Sequence, residues 1–224
     1  AAAFAVPSLA HAQIALTGVG VPVTENFDTL ATTGTSSTVP AGWAFLETLA
    51  NANTLYAAGA GTSTGADTYS LGTGTATERA FGGQQSGSLV TTIGASFVNN
   101  TGTSLNALQL AYTGEQWRLG ANTRFDRLDF QYSLDATSLA TGTWVDVDAA
   151  DFTSPIGTGG TVGALNGNLA ANRTAITSTI GPISIPAGAT FWIRWVDFNA
   201  SGADDALGVD DFSLAGANIV IPPT

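Results

Sequence analysis

Five aspartates crowd into fifteen positions late in the chain: Asp197, Asp204, Asp205, Asp210 and Asp211 surround the Ser201-Gly202 turn. Hard carboxylate oxygens gathered on a loop and its adjoining strand suit Ca2+, which takes about 6–8 oxygen ligands, backbone carbonyls included. Asp204, Asp205, Asp210 and Asp211 are therefore the expected ligands of a structural calcium ion that steadies a loop rather than catalyses. The spacing matches neither an EF-hand nor an Asp-rich nonapeptide. The same residues also read as a solvated acidic surface, with Asp211 capping a turn or pairing with an arginine.

A second constellation joins Glu115, Arg118, Arg127, Asp129 and Arg194. Carboxylates with arginines nearby have the makings of a general acid/base pair for glycoside hydrolysis, with Glu115 and Asp129 in those roles. Bidentate arginine–carboxylate links across a sheet account for the same residues without any pocket. Glu115, Arg118, Arg127 and Asp129 are accordingly expected to be structural ion pairs. The tryptophans are Trp43, Trp117, Trp144, Trp192 and Trp195. Exposed aromatic faces stack on sugars, with polar groups bonding the hydroxyls. In Phe191-Trp-Ile-Arg-Trp195, Trp195 shares a face with Phe191 and Ile193, whereas Trp192 falls opposite with Arg194. Trp117, Trp192 and Arg194 are thus the candidates for a ligand-binding surface; the alternative places Trp192 under an arginine or a covering loop.

Residue types exclude most other chemistry. There is no cysteine, hence no thiol nucleophile, disulfide or thiolate metal site, and all six basic residues are arginines, so no Schiff-base lysine exists. The one histidine, His11, lies in a segment expected to be removed, which leaves a nucleophilic triad without its base. Gly-rich runs such as Gly157-Thr-Gly-Gly160 precede no helix that would present its N-terminus to a phosphate. A net charge of −11 repels phosphate backbones, so nucleic acid is not an expected partner. No apolar run reaches the roughly 18 residues of a membrane span. The expectation is a protein that is not an enzyme.

These side chains are carried by strands. Leu108, Leu110 and Tyr112 alternate with Gln109, Ala111 and Thr113, and Leu128, Phe130 and Tyr132 alternate with Asp129, Gln131 and Ser133. Period-two alternation gives one face to a core and one to water. Trp144, Asp146 and Asp148 against Val145 and Val147 read the same way. Turn signals such as Asn99-Asn-Thr-Gly102, Leu119-Gly-Ala-Asn122 and Pro186-Ala-Gly188 separate the runs, and no helical stripe is sustained. Residues 31–40, rich in Thr and Ser, and 57–77, rich in Gly, Ala, Ser and Thr, are low in complexity, and the Gly-rich 157–167 reads as a long loop between strands. The chain is thus all-β, a two-sheet antiparallel β-sandwich with little helix, in one domain over residues 13–216, followed by a C-terminal strand or linker at 217–224.

Residues 1–12 read as the end of a secretory signal peptide, with Ala10-His11-Ala12 as a small-x-small cleavage site before Gln13. The alternative is an uncleaved arm used in assembly. Ile14-Ala-Leu16 and Ile219-Val-Ile221 are apolar β-formers able to complete a neighbour's sheet edge. With abundant Thr, Ser, Ala, Gly and Asn and only 10% charged residues, the expected function is a non-catalytic extracellular or cell-surface module for adhesion or self-assembly, with strand donation into a fibre as one form. A calcium-supported carbohydrate-binding module of a larger secreted protein is the alternative. The expected partner is itself, as a homopolymer, or a surface glycan.

One series of motifs spans nearly the whole chain after residue 20. Glu25-Asn-Phe-Asp-Thr-Leu30, Pro40-Ala-Gly-Trp43, Gly65-Ala-Asp-Thr-Tyr-Ser-Leu-Gly72 and Thr77-Glu-Arg-Ala80 come first. Tyr112-Thr-Gly-Glu-Gln-Trp-Arg118, Arg127-Leu-Asp-Phe-Gln-Tyr-Ser133, Phe191-Trp-Ile-Arg-Trp195 and Val209-Asp-Asp-Phe-Ser-Leu214 follow. The series resembles a family of secreted bacterial surface modules found beside autotransporter barrels, C-terminal sorting signals or extracellular nuclease domains. More distantly it resembles MAM-type and other concanavalin-like jelly rolls. The resemblance implies jelly-roll topology and a surface location, and no reaction. It also implies first and last strands side by side, which adds Glu25 and Asp28 to the expected calcium ligands beside Asp210 and Asp211.

Overall fold

The computed structural model describes residues 12–220, so the expected signal segment lies almost wholly outside the described residues. The first eight strands are β1 (Ile14–Leu16), β2 (Val23–Glu25), β3 (Thr35–Ser36), β4 (Trp43–Thr48), β5 (Tyr56–Gly59), β6 (Asp67–Leu71), β7 (Ala80–Gln84) and β8 (Val90–Asn99). The next eight are β9 (Ala107–Leu119), β10 (Arg127–Ser133), β11 (Val145–Asp146), β12 (Phe152–Thr153), β13 (Gly163–Ala164), β14 (Arg173–Ile180), β15 (Thr190–Asp197) and β16 (Ala206–Ala217). Two single-turn 3-10 helices, Asp148–Ala150 and Ala170–Asn172, are the helical elements among the described residues. No helix there is long and apolar enough to cross a membrane.

The strands form two sheets. In the first the order is β1-β8-β15-β10-β11, with β4 also on β8 and β12 also on β10. In the second the order is β13-β9-β16-β7-β6-β5-β3, with β14 also on β9 and β2 also on β16. Registers show that β2 and β7 lie end to end along one side of β16, while β9 takes the other side. Pairing is antiparallel except for β1 with β8 and β5 with β6, which are parallel.

The core between the sheets is aromatic. Trp195 stacks on Trp43 with ring centroids 6.1 Å apart and meets Tyr112 and Phe130 edge-on, each at 5.1 Å. Leu108, Leu110 and Tyr112 on β9 and Leu128 and Phe130 on β10 are buried in the same cluster, as their alternation requires. Each such side chain contributes about 1.5–3 kcal/mol by leaving water.

Local differences from the sequence reading have physical causes. The expected strand over 144–148 is only Val145–Asp146, because the chain turns into the 3-10 helix at Asp148. The low-complexity segment 57–77 contains the paired strands β5 and β6, since small residues let their connection pass close over β9. Gly61 there has φ +68, and a Cβ on it would collide with the Trp117 carbonyl. At the C-terminus β16 ends at Ala217 and residues 218–220 form no strand; Asn106 clamps them, its amide bonding both Ile219 N and Ile219 O.

Candidate functional site

The bulge in β16 organises the acidic residues. Between Asp210 and Ser213 this strand loses register with β9, and Asp211 adopts φ +49. Because β2 and β7 meet end to end opposite the bulge, Glu25 at the end of β2 and Glu78 just ahead of β7 both arrive near it. Glu115 lies on β9 opposite Gly208 of β16, on the face away from the aromatic core. One carboxylate oxygen from each of Glu78, Glu115 and Asp210 lies within 4.8 Å of the others.

Glu115 is fully buried, Asp210 nearly so and Glu78 half-buried. Trp117 Nε1 donates to Glu115 Oε2 at 2.9 Å, and Glu115 Oε1 has no hydrogen-bond partner. Asp210 Oδ1 accepts from Asp211 N at 2.7 Å. Asn168 Nδ2 donates to Glu78 Oε2, while the buried Asn168 Oδ1 is unpartnered. Burial raises the Glu115 carboxyl to about 7, against the Trp117 bond and with the Glu78 charge adding to the rise. Burial raises Asp210 as well, reinforced by Asp211, Glu115 and Glu78.

The six expected calcium ligands do not form one group. Asp210 belongs to the cluster just described. Glu25 and Asp211 line a surface depression with Asn26, where Glu25 Oε1 also accepts from Phe27 N at 2.9 Å. Asp28 bonds Asn26 and the Arg79 backbone N–H. Asp204 and Asp205 sit elsewhere, around Arg124. The physical reason is strand geometry: five residues of extended chain from Asp205 to Asp210 span about 16 Å.

Arg124 is the hub of that other group. Its Nη1 lies 3.1 Å from Asp126 Oδ2 and 3.4 Å from Asp205 Oδ1, and Nη2 is 3.9 Å from Asp204 Oδ1. Asp205 also accepts from Gly120 N and Gln116 Nε2, each at 2.7 Å. Asp197 is buried beside them with both carboxyl oxygens unpartnered, and its carboxyl is held well above the ordinary range by burial and by the charges of Asp126 and Asp204. Arg124, Asp126 and Asn168 did not stand out in the sequence; Glu78 did, as the expected ion-pair partner of Arg79, but that guanidinium turns to Ser70 and the Gly59 carbonyl instead.

The aromatic candidates for a ligand surface are corrected. Trp117 is fully buried and Trp192 is 4% exposed. Trp117 faces away from the aromatic core, but a second small apolar cluster with Tyr69, Leu71, Ala80 and Ala206 covers it, and Gly167 closes over its indole. Trp192 lies under Ala136 and Leu139 of the β10–β11 connection. Arg194 is spent on the same connection: it stacks on Trp144 at 3.9 Å and donates to Leu139 O and Gln131 Oε1, each at 2.8 Å.

Of the expected ion pairs, Arg127 and Asp129 meet within β10 rather than across the sheet, with Asp151 3.8 Å from the guanidinium. Glu115 and Arg118 do not pair; they point to opposite partners, Arg118 donating to the Gly61 carbonyl at 3.1 Å. Glu115 and Asp129 belong to different sheets, so they do not face a common substrate.

Sheet edges are the remaining candidates. β14 pairs with β9 along its whole length, Arg173 opposite Glu115 through Ile180 opposite Leu108, and no strand lies on its other side among the described residues. Thr174, Ala175, Thr177 and Thr179 are exposed. A shallow groove of about 400 Å³ runs across β14, β9 and β16, lined by Gln109, Ala111, Thr177, Thr179 and Ser213. The segments expected to reach a neighbour are engaged in their own chain: Ile14–Leu16 pairs with β8, and Ile219 is held by Asn106.

No family model and no curated protein matches the chain. Among solved structures it is similar to the K2 cleaved adhesin domain of Lys-gingipain, with 15% identity over 88% of this chain and 98% of that one, at a TM-score of 0.45. The K1 cleaved adhesin domain of Lys-gingipain from Porphyromonas gingivalis W83 shows 11% identity over 89% and 99% of the two chains, at 0.43. The carbohydrate-binding module TmCBM61, solved with β-1,4-galactotriose, shows 12% identity over 62% and 71%, at 0.33.

Proposed function

We propose that the chain is a non-catalytic extracellular module for adhesion or self-assembly, and that it associates through the free edge of β14. The observation that carries this reading is the edge itself: eight residues long, with Arg173, Thr174, Ala175, Thr177 and Thr179 exposed, and without Lys, Pro, Asp or Glu. Edges of natural sheets are blunted by such residues to prevent pairing with another chain, and β14 has only Arg173 at its start. The occupant is a second copy of the same strand, paired antiparallel about a two-fold axis so that two sheets become one.

The test is the molar mass in solution by light scattering over a concentration series, for the native chain and for Thr177→Lys with Thr179→Lys. Association weakened at least ten-fold in the double variant is expected, since two exposed charges then oppose their copies across the join. A native chain that stays monomeric at high concentration overturns the reading.

The groove beside β14 favours a second reading, a glycan bound by Gln109, Thr177, Thr179 and Ser213 through uncharged hydroxyl and amide groups. A glycan array with native chain and Gln109→Ala separates the two. Binding that is lost in the variant without any change in molar mass supports the glycan.

A further inference from the structure

We infer that Glu78, Glu115 and Asp210 form a binding site for one divalent cation of the calcium class, with Asn168 Oδ1 as a fourth protein oxygen. Oxygens bound to one Ca2+ at about 2.3–2.6 Å lie no more than roughly 5 Å from one another. The three carboxylates already meet that condition, each offering an oxygen within 4.8 Å of the other two.

Two independent features point to a missing partner rather than to mere crowding. Glu115 is fully buried with Oε1 unpartnered, and the Asn168 amide leaves its Oδ1 buried and unpartnered beside Glu78. Both are acceptors that a cation satisfies and that another carboxylate cannot. No side-chain cation lies within ion-pair distance of these carboxylates among the described residues, although the more distant Arg173 charge opposes the rise at Glu115. The chain has no lysine. Arg173 stands across from Glu115 on β14 but is exposed and makes no ion pair with it among the described residues. Arg79 follows Glu78 directly and feels its charge, yet its Nε and Nη2 bond Ser70 and the Gly59 carbonyl, its Nη1 is buried without a hydrogen-bond partner, and it makes no ion pair with Glu78 among the described residues.

The donor set consists of hard oxygens with no nitrogen or sulfur, which suits Ca2+ or Mg2+ and not Zn2+. Mg2+ demands a tighter octahedron and keeps more of its water, so Ca2+ is the better fit to partly buried carboxylates. An ion here ties together β9, the bulge of β16, the lead into β7 and the loop that closes over Trp117. It differs from the calcium set expected from sequence, with which it shares Asp210 alone. It is also independent of association through β14.

The experiment uses the whole chain freed of metal with a chelator, then titrated with Ca2+ and, separately, Mg2+. Native mass spectrometry counts ions and a thermal melt follows stability. One Ca2+ per chain and a Tm raised by roughly 5–10 °C at a hundred-fold excess over Kd are expected. Glu115→Gln and the milder, half-buried Glu78→Gln should each lose that response. In chelator, Glu115→Gln should melt at or above the native temperature, because it removes a buried repulsion. Asp129→Asn, far from the site, should respond as the native chain does. Absence of bound Ca2+ in the native chain overturns the inference. So does a response that survives in both glutamate variants, or one abolished by Glu25→Gln and not by them, which would move the ion to the depression beside Asp211.

Discussion

Arg124 is the residue on which most charge bookkeeping at one end of the sandwich depends. It faces Asp126, Asp204 and Asp205, all buried, and its own side chain is only 12% exposed. Replacing it with Ala leaves three buried carboxylates without their cation, a loss of about 3–5 kcal/mol near neutral pH. The loss should shrink in acid, because burial already raises Asp204 and Asp205 to about 6 and protonation removes the uncompensated charge. Urea melts of Arg124→Ala at pH 7.5 and pH 5 check this, and an equal loss at both would show that the arginine acts by packing alone. The native chain follows the same logic. Asp151, Asp204 and Asp205 are each raised from 3.8 to about 6 in the fold. Between those values the folded chain holds protons that the unfolded chain gives up, so stability falls as pH rises from about 4 through 6. In chelator, Tm at pH 5 should therefore exceed Tm at pH 7.5; a maximum at the higher pH would mean that these carboxylates are solvated in the folded state.

Between elements, the join of β4 to β6 rests on a pair of acids. Glu47 accepts from Thr68 N at 2.8 Å and from Asn53 N at 2.9 Å, and Asp67 faces it. Burial and the Glu47 carboxyl raise Asp67 to about 7. Asp67→Asn supplies a donor that does not titrate. It should raise Tm at pH 8 by roughly 2–4 °C, about 1 kcal/mol, and do little at pH 5, where Asp67 is already protonated. Scanning calorimetry at the two pH values decides it; a drop in Tm at pH 8 would show that the amide breaks the pair. At this scale the sequence was most legible. Alternation along β9, β10 and β15 placed Tyr112, Phe130 and Trp195 in the core, because a strand that packs on one face has no other way to arrange its apolar residues. What alternation leaves undetermined is whether the other face meets water. Trp117 and Trp192 fall on outer faces as their phase required, yet loops carrying Gly167 and Leu139 cover both. The carboxylate cluster was hidden for a related reason. Glu78, Glu115 and Asp210 are brought together by the end-to-end meeting of β2 and β7 at a bulge, and neither the pairing nor the bulge has a local signature.

Over the whole molecule, the acidic residues are unevenly placed along the chain. Net charge is −11, but from Phe152 to Val196 the sequence contains no Asp or Glu, and its charges are Arg173 and Arg194. β14 lies inside that stretch, so its exposed edge carries no acidic side chain of its own to oppose a second copy. Two such chains approaching edge to edge still feel the long-range repulsion of their other carboxylates, which salt screens with a Debye length of about 10 Å at 0.1 M. Backbone hydrogen bonds between the two β14 strands are short-ranged and carry no net charge, so salt does not weaken them comparably. Association through β14 should therefore tighten on going from 20 mM to 500 mM NaCl, by several-fold in Kd. Sedimentation equilibrium at the two salt concentrations measures it directly. If salt instead dissociates the assembly, ion pairs hold the interface, and the partner surface must be one of the acidic regions meeting an arginine rather than the uncharged strand.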